Sequence, residues 1–240
     1  MSKSIAIVGP GRLGTSLARS LHLAGYAVTG PHGRGFMGDG SSLVLLCVPD
    51  SSISEAAAII EEGALIGHTS GATALSEVGE RPGFGLHPLM TFPGGEVELD
   101  GVWCAISGTG TVEVAQARRL AEATGMRPFE IEEADRATYH AAASIASNFL
   151  VTLQAEAASL AAAAGVPDEA LVPLVKATVA NWAAVGPDKA LTGPVARGDA
   201  ETVARQRAAV AEDAPELIAL FDALVERTER LALRSEGAAA

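Results

Sequence analysis

Gly9, Gly11 and Gly14 stand in the spacing G-x-G-x-x-G, directly after the strand-type run Ser4–Val8 and directly before a helical pattern over Leu13–Ala24. That order is what a dinucleotide phosphate site needs. Gly9 permits a tight turn, Gly11 has no Cβ to hold a pyrophosphate off the backbone, and Gly14 lets the helix pack close to the strand. The free N–H groups of the helix start, at Arg12 and Leu13, and the positive end of the helix dipole then hold the phosphate charge. The competing reading is an incidental glycine turn that binds nothing.

A second strand pattern, Tyr26–Thr29, ends where such a site selects its cofactor. An Asp or Glu there would bind the ribose 2′-OH of NAD. No acidic residue occurs from Thr15 through Gly38; the chain offers Gly30-Pro31-His32-Gly33-Arg34-Gly35 instead. Arg34, with His32 and Arg12, suits the 2′-phosphate of NADP; otherwise Arg34 is a solvated loop residue. The apolar run Leu43–Val48 ends in Val48-Pro49-Asp50, and Ala64–His68 ends in Thr69-Ser70-Gly71. Val48, Pro49 and Ser70 are therefore expected along the cofactor's path at the carboxyl edge of a parallel sheet.

His140, Ser144 and Asn148 lie at i, i+4 and i+8 of a long helical pattern and project from one face. Polar groups on an otherwise Ala/Ile/Phe/Leu helix must be hydrogen-bonded or face a wet cleft. Histidine is the side-chain type whose unperturbed pKa lies near neutrality, so His140 could deliver the proton that completes a reduction, and Asn148 could hold a substrate carbonyl or the cofactor's carboxamide. A solvent-facing or purely structural stripe is the alternative. His87-Pro88 follows a strand pattern, so His87 is a candidate catalytic or substrate-binding residue or a loop cap; His68 carries the same ambiguity. In Leu191–Asp199, Arg197 could clamp a substrate carboxylate beside Thr192, or tie the loop to the long helix. Lys176 and Asn181 are weaker candidates. Cys47 and Cys104 sit in apolar runs without metal-ligand spacing, which points to buried free thiols and no metal.

Strand and helix patterns alternate to Arg127–Ile131, as in a doubly wound, mainly parallel α/β layer. After Ile131 the chain reads as all helix. Glu132–Ala164, without Gly or Pro, predicts one long helix closed by Gly165. Asp168–Ala184 predicts a second, and Gly186–Asp199 an irregular loop. A helix to Ala211 capped by Asp199 follows, then one from Asp213 to Arg234 and a tail, Gly237–Ala240. The expected division is a Rossmann-like NADP-binding domain, 1–130, and a helical substrate and dimerisation domain, 131–240. A formal net charge of −12 argues against nucleic acid or an anionic membrane as partner. No run approaches a membrane span and the N-terminus is unlike a signal peptide, so a cytoplasmic setting is expected.

Together, Gly9–Gly14, Val48–Asp50, His68–Gly71, His87–Phe92, Tyr139–Ala143, Ser147–Leu150 and Leu191–Asp199 resemble a bacterial family that joins a Rossmann-like domain to a C-terminal domain of unknown function. More distantly the chain is similar to pyrroline-carboxylate reductases, ketopantoate reductases and β-hydroxyacid dehydrogenases. The resemblance implies an NADP(H)-dependent reductase of a small carboxylate-bearing carbonyl or imine, and a homodimer through the helical domain. One departure stands out: β-hydroxyacid dehydrogenases and ketopantoate reductases carry a lysine on the long helix, and here Arg136 and His140 are the bases of its first half. A ketopantoate-type 2-oxoacid reductase and a non-catalytic NADP(H)-sensing protein are the alternatives.

Overall fold

The computed structural model describes residues 4–94 and 97–239. The chain divides into two compact units, Met1–Ser147 and Asn148–Ala240. The first begins β1 (Ser4–Val8), α1 (Arg12–Leu23), β2 (Ala27–His32), β3 (Leu43–Leu46), α2 (Ile53–Ala58), β4 (Leu65–His68) and β5 (Gly83–Pro88). It continues through β6 (Trp103–Gly108), α3 (Thr111–Ala123), β7 (Arg127–Glu130) and α4 (Arg136–Ala146). The strands form one Rossmann-like sheet in the order β2-β1-β3-β4-β5-β6-β7. Strands β1 to β5 are parallel, β6 runs antiparallel to β5, and β7 is parallel to β6.

This topology follows from the apolar runs. Side chains alternate across a strand, so Ile5, Ile7 and Leu45 face one layer and Ala6, Val8, Val44 and Leu46 the other. The first layer joins Leu17, Phe84, Ile106 and Leu120; the second joins Ile53 and Ile66. A strand covered on both faces must be apolar throughout, as Leu43–Leu46 is. Each fully buried Leu, Ile or Phe contributes roughly 1.5–3 kcal/mol. The parallel order puts the ends of β1, β3, β4 and β5 on one edge, which carries Val8, Leu46, His68 and His87.

Several boundaries differ from the sequence expectation. The α2 helix stops at Ala58 rather than Glu62. There the Arg81 guanidinium takes the Ala57 and Ile60 carbonyls (3.1 and 2.9 Å), and Glu61 N–H donates to Met37 O (2.7 Å), so tertiary bonds replace the next helical turn. The long helix is broken at Ser147 (φ −119°, ψ −72°), which closes α4; α5 (Asn148–Ala163) starts at the next residue. Ser and Asn side chains compete for local backbone groups, which weakens a helix where two of them adjoin. The compact units also divide here and not at 130/131, so α4 stays with the sheet.

The second unit continues with α6 (Leu171–Val185), α7 (Pro187–Ala190), α8 (Ala200–Asp213) and α9 (Ile218–Ala239). The α7 turn interrupts the expected loop after Gly186. Asp199 caps α8 by accepting from Thr202 N–H (3.0 Å). Asp213 ends α8 rather than starting the last helix, and Pro215–Leu217 forms a 3-10 turn before α9. Gly237 is helical, not part of a tail: glycine weakens a helix without forbidding it. Ala240 lies outside the described residues. No helix among those described is long and apolar enough to cross a membrane.

Candidate functional site

The glycine turn between β1 and α1 has a separate reason for each glycine. Gly9 has φ +111°, and a Cβ there would lie 2.2 Å from the Cys47 carbonyl oxygen. A Cβ on Gly14 would lie 2.1 Å from Gly9 O, so the helix start is pressed onto the turn. At Gly11, by contrast, a Cβ would meet nothing within 4 Å among the described residues: this is the open side. The first backbone bond of α1 runs from Thr15 N–H to Gly11 O (3.0 Å), so the N–H groups of Arg12, Leu13 and Gly14 precede the helical ladder. The Leu13 side chain packs on the core, and Arg12 Nη1 donates to Phe92 O (3.0 Å).

The open side belongs to a cleft of about 260 Å³ lined by Gly9, Gly11, Arg34, Phe36, Val48, Pro49 and Ile59, among others. Arg34 is exposed at its wall. His32 closes β2 ahead of Arg34: its ring stacks on Phe36 (3.8 Å) and its Nε2 is 3.0 Å from Thr29 Oγ1. It shapes the loop that carries Arg34. Cys47 also borders the cleft, where burial pushes its thiol up to about 12, so it is no nucleophile at neutral pH.

Further along the same sheet edge, β4, β5 and α4 bring three imidazoles and a phenol together. His87 Nδ1 is 2.6 Å from the Tyr139 hydroxyl, and the His87 and His140 rings are 6.2 Å apart. Gly71 sits between them: a Cβ there would lie 2.8 Å from His87 Cε1 and 2.9 Å from His140 Cδ2. Burial, reinforced by the charge of His140, pulls His87 down to about 4. Burial raises the Tyr139 phenol to about 12. His68 is fully buried, with neither ring nitrogen hydrogen-bonded among the described residues, and burial with the Arg136 charge lowers it to about 4. An unpaired buried donor costs about 1–3 kcal/mol, which the surrounding core must offset.

Arg136 anchors α4 beneath this cluster. It is 3% exposed; its Nη2 donates to Ser107 Oγ (2.6 Å) and pairs with Glu133 (2.9 Å). Burial opposes ionisation of Glu133, but the hydrogen bond and charge of Arg136 hold its carboxyl below the usual range. Small residues make the room: a Cβ on Gly85 would lie 2.7 Å from Ser107 Oγ and 3.4 Å from Arg136 Nη2. Arg136 is thus committed to its own unit rather than waiting for an anion.

Ser70 is placed at this edge with its hydroxyl engaged: Oγ donates to Thr73 Oγ1 (2.9 Å) and accepts from Ala72 and Thr73 N–H. It builds the turn that carries Gly71. Ser144 is half-buried on α4, one turn beyond His140. Asn148 starts α5, across the Ser147 break, and Thr192 and Arg197 are exposed in the second unit. Sequence reasoning gave Tyr139 and Gly71 no role beyond their motifs and took Arg136 only as a base of the long helix. The available signal was the pair of small residues, Gly85 and Ser107, which face each other across β5 and β6.

Among solved structures, protein TM1727 of Thermotoga maritima superposes with a TM-score of 0.81 at 24% identity, over 97% of this chain and 99% of that one. A candidate NADP oxidoreductase of Bacteroides fragilis gives 0.77 at 22%, over 95% and 98%. The reductive aminase of Aspergillus terreus, in complex with NADPH and ethyl-5-oxohexanoate, gives 0.68 at 18%, over 96% and 94%. At these identities the likeness is one of fold. No curated protein sequence matches significantly. The profile of the family described as Domain of unknown function (DUF2520) matches residues 102–228, more than half of the chain, and the chain belongs to that family.

Proposed function

We propose that this protein is an NADP(H)-dependent oxidoreductase that transfers a hydride to a small carboxylate-bearing carbonyl or imine. One observation carries the reading: an open glycine-turn cleft with Arg34 at its wall shares a sheet edge with the His87–Tyr139–His140 cluster. The cleft fits the cofactor. Gly11 leaves room for a pyrophosphate, the Arg12 and Leu13 N–H groups can hold it, and Phe36, Val48 and Ile59 offer an apolar wall to a planar base. Arg34 suits a 2′-phosphate. Bound there, a reduced nicotinamide supplies the hydride. On the protein side, His140 delivers the proton and His87 contacts the substrate, with Ser144 beside them. Asn148, Thr192 and Arg197 keep their proposed substrate roles on the sequence alone. The NADPH-bound reductase among the structural neighbours supports the class.

The same reading includes a homodimer through the helical unit. Phe149, Leu174 and Trp182 are exposed there, and a second copy would cover them.

A thermal-shift titration with NADPH, NADP, NADH and NAD tests the reading, because a ligand that binds the folded state raises Tm with its concentration over Kd. NADPH is expected to act at the lowest concentration, and Arg34→Ala to erase its advantage over NADH. Gly11→Ala should melt like the parent without ligand and lose the NADPH shift. No shift with any of the four nucleotides refutes the proposal.

A further inference from the structure

We propose that Tyr139 is a positioning residue that fixes His87 as a hydrogen-bond donor, and that the site therefore takes a carbonyl oxygen rather than the N–H of an iminium. This deepens the oxidoreductase reading and rests on it.

The proposed tautomer starts from one contact. The Tyr139 oxygen is 2.6 Å from His87 Nδ1. Either group can donate across this contact. The phenol keeps its proton, and in the proposed arrangement its O–H donates to an accepting Nδ1. A neutral imidazole has one donor and one acceptor nitrogen, so the remaining proton sits on Nε2. Both groups are in the required state at neutrality: His87 is uncharged, pulled down to about 4 by burial, and Tyr139 keeps its proton, raised to about 12 by burial.

Neither partner is free to turn away. His87 lies on β5, register-paired with Ala105 of β6. The Tyr139 ring packs edge-on against Phe129 (5.9 Å), which packs against Trp103 (6.1 Å). One turn earlier, Arg136 ties α4 to Ser107. Among the described residues, His87 Nε2 has no hydrogen-bond partner.

The chemistry separates the two substrate classes. A carbonyl oxygen accepts from Nε2–H, which then stabilises the charge that develops on it. Hydride adds to the carbonyl carbon, the π pair moves onto oxygen, and His140 supplies the proton that makes the alcohol. The dihydronicotinamide is oxidised, the carbonyl is reduced, and His87 keeps its proton throughout. An imine accepts hydride readily only as its iminium, whose nitrogen carries N–H and no lone pair, so the reactive form would face one donor with another.

Two measurements test this. Nitrogen-15 NMR of histidine-labelled protein, with His87→Gln for assignment, should show His87 as the Nε2–H tautomer and a tautomer mixture in Tyr139→Phe. With NADPH as reductant, 2-oxobutyrate should have a kcat/KM about tenfold or more above that of 1-pyrroline-2-carboxylate. Tyr139→Phe should erase that ratio by lowering turnover of the oxo acid. An Nδ1–H tautomer, a preference for the imine, or no turnover of either while NADPH still raises Tm overturns the inference and leaves cofactor binding standing. Absence of the NADPH shift removes the oxidoreductase reading and the inference with it.

Discussion

In the sheet unit Ile7, Val44, Leu45, Phe84 and Ile106 are sealed from solvent, whereas in the helical unit Val210 and Ala214 are the buried apolar residues among those described. Yet α5 and α6 are rich in Leu, Val and Ala around their whole circumference, and neither contains a buried residue. A helix apolar on all sides belongs inside a core. The contrast teaches that the sheet unit closes its own core and the helical unit does not. In the proposed homodimer a second copy would complete the second unit. Each unit also carries one of the two tryptophans, Trp103 and Trp182, so single-tryptophan variants can follow them separately.

The largest effect is expected where the closed unit is tightest. Gly9→Ala combines a left-handed φ with a Cβ 2.2 Å from a backbone oxygen that cannot move away. Strain of about 1–2 kcal/mol adds to overpacking of about 1–3, for a loss of roughly 4 kcal/mol. In a protein that keeps Trp103 and carries Trp182→Phe, urea unfolding should shift to much lower concentration. An unchanged midpoint would mean that the turn is not part of the cooperative core.

Next comes Leu174→Glu in the open unit. Leu174 is 63% exposed in the single chain, so in a monomer this change should move stability by less than about 0.5 kcal/mol. Against a second copy it buries an unpaired charge, at a cost of about 3 kcal/mol or more. Sedimentation should show dimer for the parent and monomer for the variant, and the parent's Tm should rise with protein concentration. A monomeric parent would leave the helical unit's exposed faces to some other partner.

Much of the sheet unit was legible in the sequence because its signals are local. Gly9, Gly11 and Gly14 carry their roles in their spacing, and Leu43–Leu46 announces a doubly covered strand. The histidine cluster was legible only in part. His87 and His140 stood out as residue types, but the Tyr139 contact joins positions 52 apart in sequence and depends on how α4 lies on β5 and β6. Arg136 read as a base of the long helix; its burial is set by Gly85 and Ser107, whose small size has meaning only once their strands are paired. The break at Ser147 carried no Gly or Pro to mark it. In the helical unit the helices could be read and their packing could not, since their apolar residues cover every side.

Acid should act on the sheet unit first. His68 and His87 are near 6.5 when unfolded and about 4 when folded, with burial the leading cause for both. Between those values the unfolded chain binds more protons, so stability rises with pH and falls on acidification. Each imidazole contributes up to about 1.4 kcal/mol per pH unit, full above about 6.5 and lost towards 4. Glu133, held low by Arg136 when folded, loses its stabilising contribution in the same direction as pH falls. The Trp103 transition should therefore weaken between pH 7 and pH 5 by more than the Trp182 transition. Equal loss at both would assign the acid sensitivity to the whole chain.

The smallest effect uses the same substitution as the largest. Gly165 ends α5 with φ +72°, its N–H donating to Ala162 O (2.9 Å) while Val166 N–H donates to Ala161 O (2.8 Å). This is a glycine helix cap, and left-handed backbone is its requirement. Unlike Gly9, it has open space where a Cβ would go, with nothing within 4 Å. Gly165→Ala thus keeps the strain of about 1–2 kcal/mol without the clash, and the stiffer unfolded chain offsets about 0.4–1 of it. A net loss of about 1 kcal/mol is expected, read from the Trp182 transition in a Trp103→Phe background at dilution that favours monomer. Asparagine, which tolerates left-handed backbone, should cost less than alanine. A loss comparable to that of Gly9→Ala would mean that the end of α5 is in contact with another surface, and the helical unit would then be less open there than its exposed apolar residues imply.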